Sequence, residues 1–209
     1  MHISWHGQYT LKIQGSNKTA VSDPYSPAVG LRPFRSQADV VALSWPSNPE
    51  TSHADAIQGQ PIIVAGPGEY SVRGFTLSAI GWTGKDGREQ TIQRWAVEDV
   101  CLINLASLNR ELADSELQEL EKVDTDVLVL PVGGGSALTT TQALKMITVL
   151  EPRLVIPIHF TLPGLKEKLD DVKEFASAFG LKPSQAEKKI IVKGSKLPSE
   201  DMQVSLLVP

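Results

Sequence analysis

Residues 126–158 read DVLVLPVGGGSALTTTQALKMITVLEPRLVIPI, and this stretch decides the fold class. The run from Asp126 to Leu130 is short and apolar, as expected for a buried strand. Thr140 to Leu150 places apolar residues at helical spacing, and Arg153 to Ile158 is a second strand that ends at His159. A strand, a helix and another strand in this order indicate a layered α/β protein.

The segments after and before this unit extend the alternation. Asp114 to Lys122 has leucines on one face and begins with Asp-Ser, which favours a helix. Leu165 to Phe179 carries a helical stripe of leucine, valine and phenylalanine, and Gly180 is suited to end that helix. Lys189 to Val192 and Val204 to Leu207 are expected to close the chain as strands.

The first half of the chain reads as a series of short strands. Ala38 to Leu43 is expected to be buried on both faces of a sheet, and Ile62 to Ala65 is expected to be similar. Arg73-Gly74 and Glu98-Asp99 each separate two strand-like runs, which predicts two hairpins. Many strands followed by strand–helix alternation predict a mixed sheet within an α/β fold.

Composition limits the classes of function. The 209 residues include 20 Lys and Arg against 24 Asp and Glu, a formal net charge of -4, which argues against nucleic-acid and anionic-membrane binders. The single cysteine, Cys101, excludes an internal disulfide framework and is expected to be a buried structural thiol. The N-terminus shows no basic stretch followed by an apolar run, so we expect no signal peptide and a soluble, cytoplasmic protein.

A few positions carry candidate chemistry. His159 follows a buried strand, where α/β proteins place active-site groups, although a capped or surface histidine has the same position. Gly133 and Gly134 belong to a glycine-rich turn that either lets the backbone approach a ligand or serves as a flexible connection. No Ser–His–acid triad is evident, and no two histidines have the HxH spacing of metal ligands.

Several segments, taken in order, resemble one family. They are Trp5-His6-Gly7-Gln8, Ser22-Asp23-Pro24, the strand ADVVALS at 38–44, Gly66-Pro67-Gly68-Glu69-Tyr70, LASLNREL at 105–112, DVLVLPVGG at 126–134 and PRLVIPIHF at 152–160. This combination resembles the metallo-β-lactamase-fold superfamily, in the branch of bacterial zinc-dependent hydrolases related to L-ascorbate-6-phosphate lactonase. The resemblance implies a four-layer αββα sandwich, with residues 1–209 forming a single domain.

The metal ligands of that family do not carry over to this sequence. Its HxHxDH motif falls on Trp45, Ser47, Pro49 and Glu50, and its later histidine and bridging aspartate fall on Asn104 and Ser107. Of the family's histidines, His159 alone keeps its place. A catalytic zinc needs about three protein ligands, so we expect the ancestral zinc site to be lost and no metal cofactor to be bound.

Two hypotheses about function follow from the resemblance. The first is a pseudoenzyme that binds a small molecule or a protein partner, with no nucleic acid or membrane, in a vestigial pocket formed by Trp45, Ser47, Pro49, Glu50, Asn104, Ser107, Gly133, Gly134 and His159. The alternative is a metal-dependent (Zn or Mn) or metal-free hydrolase with a remodelled site. In that alternative His159 acts as base, Glu50 or Ser107 assists it, and the glycines at 133–135 hold an anionic group of the substrate. The oligomeric state stays open.

Overall fold

The computed structural model describes all 209 residues. The strands are β1 (His2–Trp5), β2 (Leu11–Gln14), β3 (Thr19–Ser22), β4 (Ser36–Gln37), β5 (Val40–Leu43), β6 (Ile57–Gln58), β7 (Ile62–Ala65), β8 (Gly68–Val72), β9 (Phe75–Thr83), β10 (Glu89–Val97), β11 (Val100–Asn104), β12 (Val127–Pro131), β13 (Leu154–Ile158), β14 (Ile190–Ile191) and β15 (Gln203–Val204). The helices are α1 (Asp114–Leu120), α2 (Thr140–Leu150) and α3 (Val172–Ala178). None of these helices has the length and apolar character needed to cross a bilayer.

Two mixed sheets form the body of the molecule. One has the strand order β14-β1-β2-β3-β5-β7, the other has the order β15-β13-β12-β11-β10-β9-β8, and β4 pairs with β6 separately. The main hydrophobic cluster contains 46 buried residues from both sheets and from all three helices. Burial of apolar side chains from two sheets and from helices in one cluster is what a layered sandwich requires. The predicted α/β fold class is therefore confirmed.

The helix α2 shows how the local sequence specifies its element. Thr139 precedes the helix, its hydroxyl accepts a hydrogen bond from the Gln142 backbone N–H, and Gln142 Oε1 accepts one from the Thr139 N–H. This reciprocal pair satisfies two backbone donors that a helix start otherwise leaves free. The helix ends at Leu150, before Pro152, and the predicted span of Thr140 to Leu150 is confirmed.

The parallel strands bring several chain segments to one end of the sandwich. In the second sheet β11, β12 and β13 run parallel, so that Asn104 lies beside Val129 and Pro131 lies beside Ile158. In the first sheet β3 and β5 run parallel. The residues that follow these strands, among them Asp23 and His159, therefore gather at the carboxyl ends, where α/β sheets usually place their binding sites.

Some predicted elements differ from the structure. The helix predicted for Leu165 to Phe179 is confined to Val172–Ala178, because the backbone before it bonds to distant loops: Lys166 N–H donates to Val29 and Asp170 N–H donates to Gly133. The helix predicted for Asp114 to Lys122 ends two residues early, at Leu120.

The interpretation of the strand Ile62 to Ala65 as buried on both faces was wrong. This strand, β7, is at the edge of its sheet, and Ile62 and Ile63 are 43% and 45% exposed. Cys101 is only half-buried, so the expectation that its thiol is buried was also wrong. An apolar run alone does not distinguish a central strand from an edge strand, because that difference is made by neighbours distant in sequence.

Candidate functional site

A cavity of about 530 Å³ opens at the carboxyl ends of the strands, and we call it the Glu167 cavity. It is bounded by the turn after β1, by the loop after β5, and by two later loops. Its lining includes Gln8, Tyr9, Trp45, Ser47, Asn48, Pro49, Glu50, Thr51, Arg88, Ser136, Lys166 and Glu167. Most of these residues are polar or charged, which suits a polar ligand.

His159 lies behind the wall of this cavity and is fully buried. Its Nε2 is 3.2 Å from Glu167 Oε2, and its ring stacks on Tyr9 with 4.2 Å between the ring centres. The Nδ1 atom is buried without a partner. His159 also has a left-handed backbone, with φ of 53°, a conformation that is uncommon outside glycine and is often found at functional sites.

The Glu167 carboxylate is the centre of the hydrogen bonds in the cavity. Its Oε1 accepts from the Ser136 hydroxyl at 2.7 Å and from the Ser136 N–H at 3.3 Å. Its Oε2 lies beside His159 Nε2 and accepts from Gln8 Nε2 at 3.3 Å. Burial by itself raises the pKa of Glu167, but the hydrogen bond and charge of His159, with the bonds from Ser136 and Gln8, lower the pKa to about 2. Glu167 is therefore an anion at every pH at which the protein would work.

Hydroxyl groups and cations surround this carboxylate. The Tyr9 hydroxyl lies 3.1 Å from Ser136 Oγ, and burial raises the Tyr9 pKa well above its ordinary value, so the phenol stays protonated. The Arg88 guanidinium lies 4.0 Å above the centre of the Trp45 ring. Lys166 is exposed at the cavity rim and forms no ion pair. The cavity thus combines a fixed anion in its wall with two cationic side chains, Arg88 and Lys166, among its lining residues.

Four of the site residues expected from the sequence line the Glu167 cavity: Trp45, Ser47, Pro49 and Glu50. The Trp45 indole N–H donates to Ser47 Oγ at 3.0 Å, which holds the loop after β5 in its turn. Glu50 is exposed. His159 touches this cavity only through Tyr9 and Glu167.

The glycines contact His159 and its neighbours. Gly133 N–H donates to the His159 carbonyl at 2.9 Å, and a Cβ at Gly133 would come within 2.4 Å of that oxygen. Gly134 has a left-handed backbone with φ of 65°. The close backbone approach at Gly133 is therefore to the chain itself.

Asn104 and Ser107 lie outside the Glu167 cavity, in a buried polar cluster between the sheets. Asn104 Nδ2 donates to Ser22 Oγ at 3.0 Å, and the Ser107 hydroxyl donates to Gln90 Oε1. Gln90 also lines a second cavity of about 670 Å³, which we call the Trp82 cavity, and Ser47 lines both cavities. Neither Asn104, Ser107 nor Glu50 hydrogen-bonds His159 in the structure.

Sequence reasoning missed the residues that contact the imidazole and the Glu167 carboxylate. Glu167 fell inside a predicted helix, Tyr9 belongs to no motif, and Ser136 ends the glycine-rich turn but had no role assigned to it. Gln8 was part of a segment quoted for the family resemblance, but no role was assigned to it. The available signal for Glu167 was the dipeptide Pro163-Gly164, which lies three residues before it and favours a turn.

Comparison with known proteins identifies the family. A family model described as "Beta-lactamase superfamily domain" matches residues 2–159. The chain belongs to the β-lactamase superfamily. A metallo-β-lactamase superfamily protein from Thermotoga maritima superposes with a TM-score of 0.80 at 25% identity, over 100% of this chain and 99% of that one. A metallo hydrolase from Ignicoccus hospitalis, at 15% identity and a TM-score of 0.63, shares the fold over 92% of this chain and 99% of its own. The resemblance to the metallo-β-lactamase fold is confirmed.

Two curated relatives match shorter segments. A UPF0173 metal-dependent hydrolase from Thermofilum pendens is 39% identical over 54 residues, which are 25% of this chain and 24% of the relative. A UPF0173 metal-dependent hydrolase from Nanoarchaeum equitans is 41% identical over 64 residues, 30% of this chain and 29% of the relative. The chain thus spans less than a third of the length of these relatives.

These names correct the sequence-based expectation about cofactors. The expectation of no metal cofactor, with the ancestral zinc site lost, was wrong, because the relatives are metal-dependent hydrolases and so imply a metal cofactor. The comparisons support the hydrolase family and give no support to a pseudoenzyme. Of the two hypotheses about function, the hydrolase is the better supported.

The side chains of the cavity provide a test of fit to a metal. A catalytic zinc takes three protein ligands and keeps one position open for water. His159 and Glu167 are in contact, and Gln8 adds a buried amide oxygen without a partner. No group of three or more His, Cys, Asp and Glu side chains is placed to hold a metal ion, so this donor set does not fit a three-ligand zinc.

Proposed function

We propose that the chain is a hydrolase with a remodelled active site in the Glu167 cavity, built around Glu167 and His159. The observation that supports this most is the Glu167 carboxylate, which lines the cavity while four donors hold it in one position. A carboxylate that is fixed before the substrate arrives needs no reorganisation during the reaction, which is what an effective site requires.

Glu167 is suited to orient an attacking water. Its side chain is 31% exposed and therefore reaches the cavity, whereas the His159 side chain is not exposed. The resting pKa of about 2 makes Glu167 a weak proton acceptor. A substrate group that replaces the Ser136 hydroxyl on Oε1 removes one of the bonds that lower this pKa, and so strengthens Glu167 as a base when substrate is bound. This assigns proton acceptance to Glu167 and leaves His159 to hold it in place.

The hydroxyl groups near Glu167 are suited to the charge that develops during hydrolysis. Ser136 and Tyr9 both carry an O–H at the cavity wall, and the raised pKa of Tyr9 keeps its proton on the oxygen. Lys166 and Arg88 line the same cavity and attract an anionic substituent of the substrate. We therefore expect the substrate to be a small polar molecule with a hydrolysable bond and a negative charge.

The experiment is a hydrolysis assay of wild type, Glu167→Gln and His159→Ala on p-nitrophenyl acetate, bis(p-nitrophenyl) phosphate and a simple lactone. Each assay is run with chelator, with Zn²⁺ and with Mn²⁺, so that metal-dependent and metal-free turnover are separated. We expect turnover with at least one substrate to fall about 100-fold or more in Glu167→Gln, the loss typical for a positioned acid or base.

The control is Glu121→Gln, which makes the same change from carboxylate to amide at an exposed residue outside the cavity. Its turnover should equal that of wild type. Equal turnover of wild type, Glu167→Gln and His159→Ala under all three metal conditions would overturn the proposal. Binding of the substrates without turnover would favour a ligand-binding role for the cavity.

A further inference from the structure

Four polar side chains form a buried chain between the two sheets, and its hydrogens can be counted. Ser22 Oγ lies 2.7 Å from Gln93 Oε1 and 2.8 Å from Asp23 Oδ2, and it accepts a hydrogen bond from Asn104 Nδ2 at 3.0 Å. All four residues are at most 1% exposed. A hydroxyl carries one hydrogen, so Ser22 can donate to only one of the two oxygens.

The orientation of the Gln93 amide decides which oxygen lacks a hydrogen. Gln93 Oε1 also accepts from the Trp95 indole N–H at 3.3 Å and lies 3.5 Å from Asn104 Nδ2. Exchanging the amide oxygen and nitrogen would place an NH₂ group against two other donors. Gln93 Oε1 therefore faces Ser22 as an acceptor, and the remaining short contact, between Ser22 and Asp23, needs a hydrogen from Asp23.

The surroundings of Asp23 favour the neutral acid. Its other oxygen, Oδ1, accepts from Ser44 N–H at 2.6 Å and from Ser44 Oγ at 2.9 Å. No Lys, Arg or His forms an ion pair with it, and Gln93 and Asn104, which contact its partner Ser22 from β10 and β11, carry no charge. Tyr9 is the nearby titratable group, since the charge of Asp23 contributes to its raised pKa. Burial raises the pKa of Asp23 to about 7, although hydrogen bonds from Ser44 and Ser22 oppose this.

We propose that Asp23 is a proton switch that controls one hydrogen bond between the two sheets, the Ser22–Gln93 bond, at the end where both cavities open. In the protonated state Asp23 donates to Ser22, and Ser22 of β3 donates to Gln93 of β10. When the proton leaves to solvent, the Ser22 hydroxyl turns its hydrogen to the carboxylate. The contact between Ser22 and Gln93 then brings two oxygens together with no hydrogen between them, and this one bond between the sheets is lost.

The switch is connected to the walls of both cavities. Ser44 is held by Asp23 through its N–H and its hydroxyl, and Ser44 lines the Trp82 cavity. Trp45, the next residue, lines the Glu167 cavity. The carbonyl of Ser44 accepts from Thr91 N–H at 2.8 Å, which is a second connection between the sheets. Loss of the Ser22–Gln93 bond leaves the bond from Asn104 Nδ2 to Ser22 Oγ and that backbone bond as the nearby links between the sheets.

The direct test is a pH titration of the tryptophan indole N–H signals by NMR in the wild-type protein. We expect the Trp95 indole signal to titrate near neutral pH, because its acceptor Gln93 Oε1 changes partners. The Trp5 indole donates to the backbone of Gln8 at 2.9 Å and is the internal control, so its signal should stay constant. A constant Trp95 signal between pH 5 and 9 would overturn the proposal.

The second test compares the melting temperature of wild type and Asp23→Asn from pH 5 to pH 9. The amide copies the protonated acid, because its NH₂ donates to Ser22 and its oxygen keeps the bonds from Ser44. A carboxyl whose pKa is raised on folding stabilises the folded state at low pH, and this stabilisation is lost as pH rises to the folded-state pKa. The melting temperature of wild type should therefore fall by about 5–10 °C between pH 5 and pH 8. Asp23→Asn should lose none of this, and exposed Asp55→Asn should behave as wild type. Equal pH dependence of wild type and Asp23→Asn would refute the switch, and if the variant does not fold, the Trp95 titration of wild type decides alone.

Discussion

The most informative perturbation is Glu167→Gln, because the pH dependence of its effect on stability separates charge from packing. The pKa of Glu167 is lowered from 4.5 to about 2, chiefly by His159 against the opposing effect of burial. Since one pKa unit corresponds to about 1.4 kcal/mol, this lowering is at most about 3 kcal/mol. The side chain is 31% exposed, and solvent screening reduces the figure to about 2 kcal/mol.

The sign of the effect follows from linkage. A carboxyl whose pKa is lowered on folding stabilises the native state above its unfolded value, near 4.5, and the stabilisation is lost as pH falls to about 2. We therefore expect Glu167→Gln to lower the free energy of unfolding by about 2 kcal/mol at pH 7, and the difference from wild type to shrink steadily below pH 4.5.

The assay is equilibrium urea denaturation followed by circular dichroism at pH 7, 5 and 3. Glu121→Gln, which lies outside the cavity, should follow wild type at every pH. A difference between wild type and Glu167→Gln that is the same at pH 7 and pH 3 would show that the substitution acts through packing, and the ionic account of Glu167 and His159 would be refuted.

Three further substitutions and reactions test the packing around the site and at the surface. Gly133→Ala should destabilise the protein by about 1–3 kcal/mol in urea denaturation, because its Cβ would lie 2.4 Å from the His159 carbonyl. Gly15→Ala should be tolerated, because its Cβ would meet only the flexible Lys18 side chain and, at the ordinary contact distance of 3.5 Å, Glu98 Oε1. Cys101 should react with iodoacetamide more slowly at pH 7.5 than a free cysteine, as measured by mass spectrometry, because burial raises its thiol pKa. Ile63→Thr, at an exposed edge position, should change the free energy of unfolding by less than about 0.5 kcal/mol.

The parts of the fold that could be predicted are those whose cause is local. The helix α2 was predicted to the residue, because its apolar spacing, its Thr-capped start and the proline after it lie within one stretch of about a dozen residues. Both hairpins were predicted, around Arg73-Gly74 and Glu98-Asp99, because the turn residues lie between two strand-like runs. The exposure of β7 could not be predicted, since it depends on which strand lies beside it.

The candidate site is harder to predict because its contacts join distant parts of the chain. Gln8 and Glu167 are 159 positions apart, and Ser136 and Glu167 are 31 apart. The stripe of apolar residues after Leu165 favoured a helix, but long-range backbone bonds from Lys166 and Asp170 hold the segment in a loop. A periodic pattern records which residues are apolar and carries no information about such bonds, so Glu167 could be found only in three dimensions.

Three residues at this end of the sandwich have strained, left-handed backbones. Gln8, Asp23 and His159 all have left-handed backbones, with φ of 49°, 46° and 53°, and each takes part in the hydrogen bonds described at the carboxyl ends of the strands. Each such residue costs of order 1 kcal/mol, and persists only where its surroundings impose it. The Gly133 N–H donates to the His159 carbonyl, and position 133 requires glycine because a Cβ there would lie 2.4 Å from that oxygen. Left-handed backbones also occur in the hairpin turns, at Arg73 and Glu98, so it is the strain together with the hydrogen bonds to the Glu167 carboxylate that supports a working site.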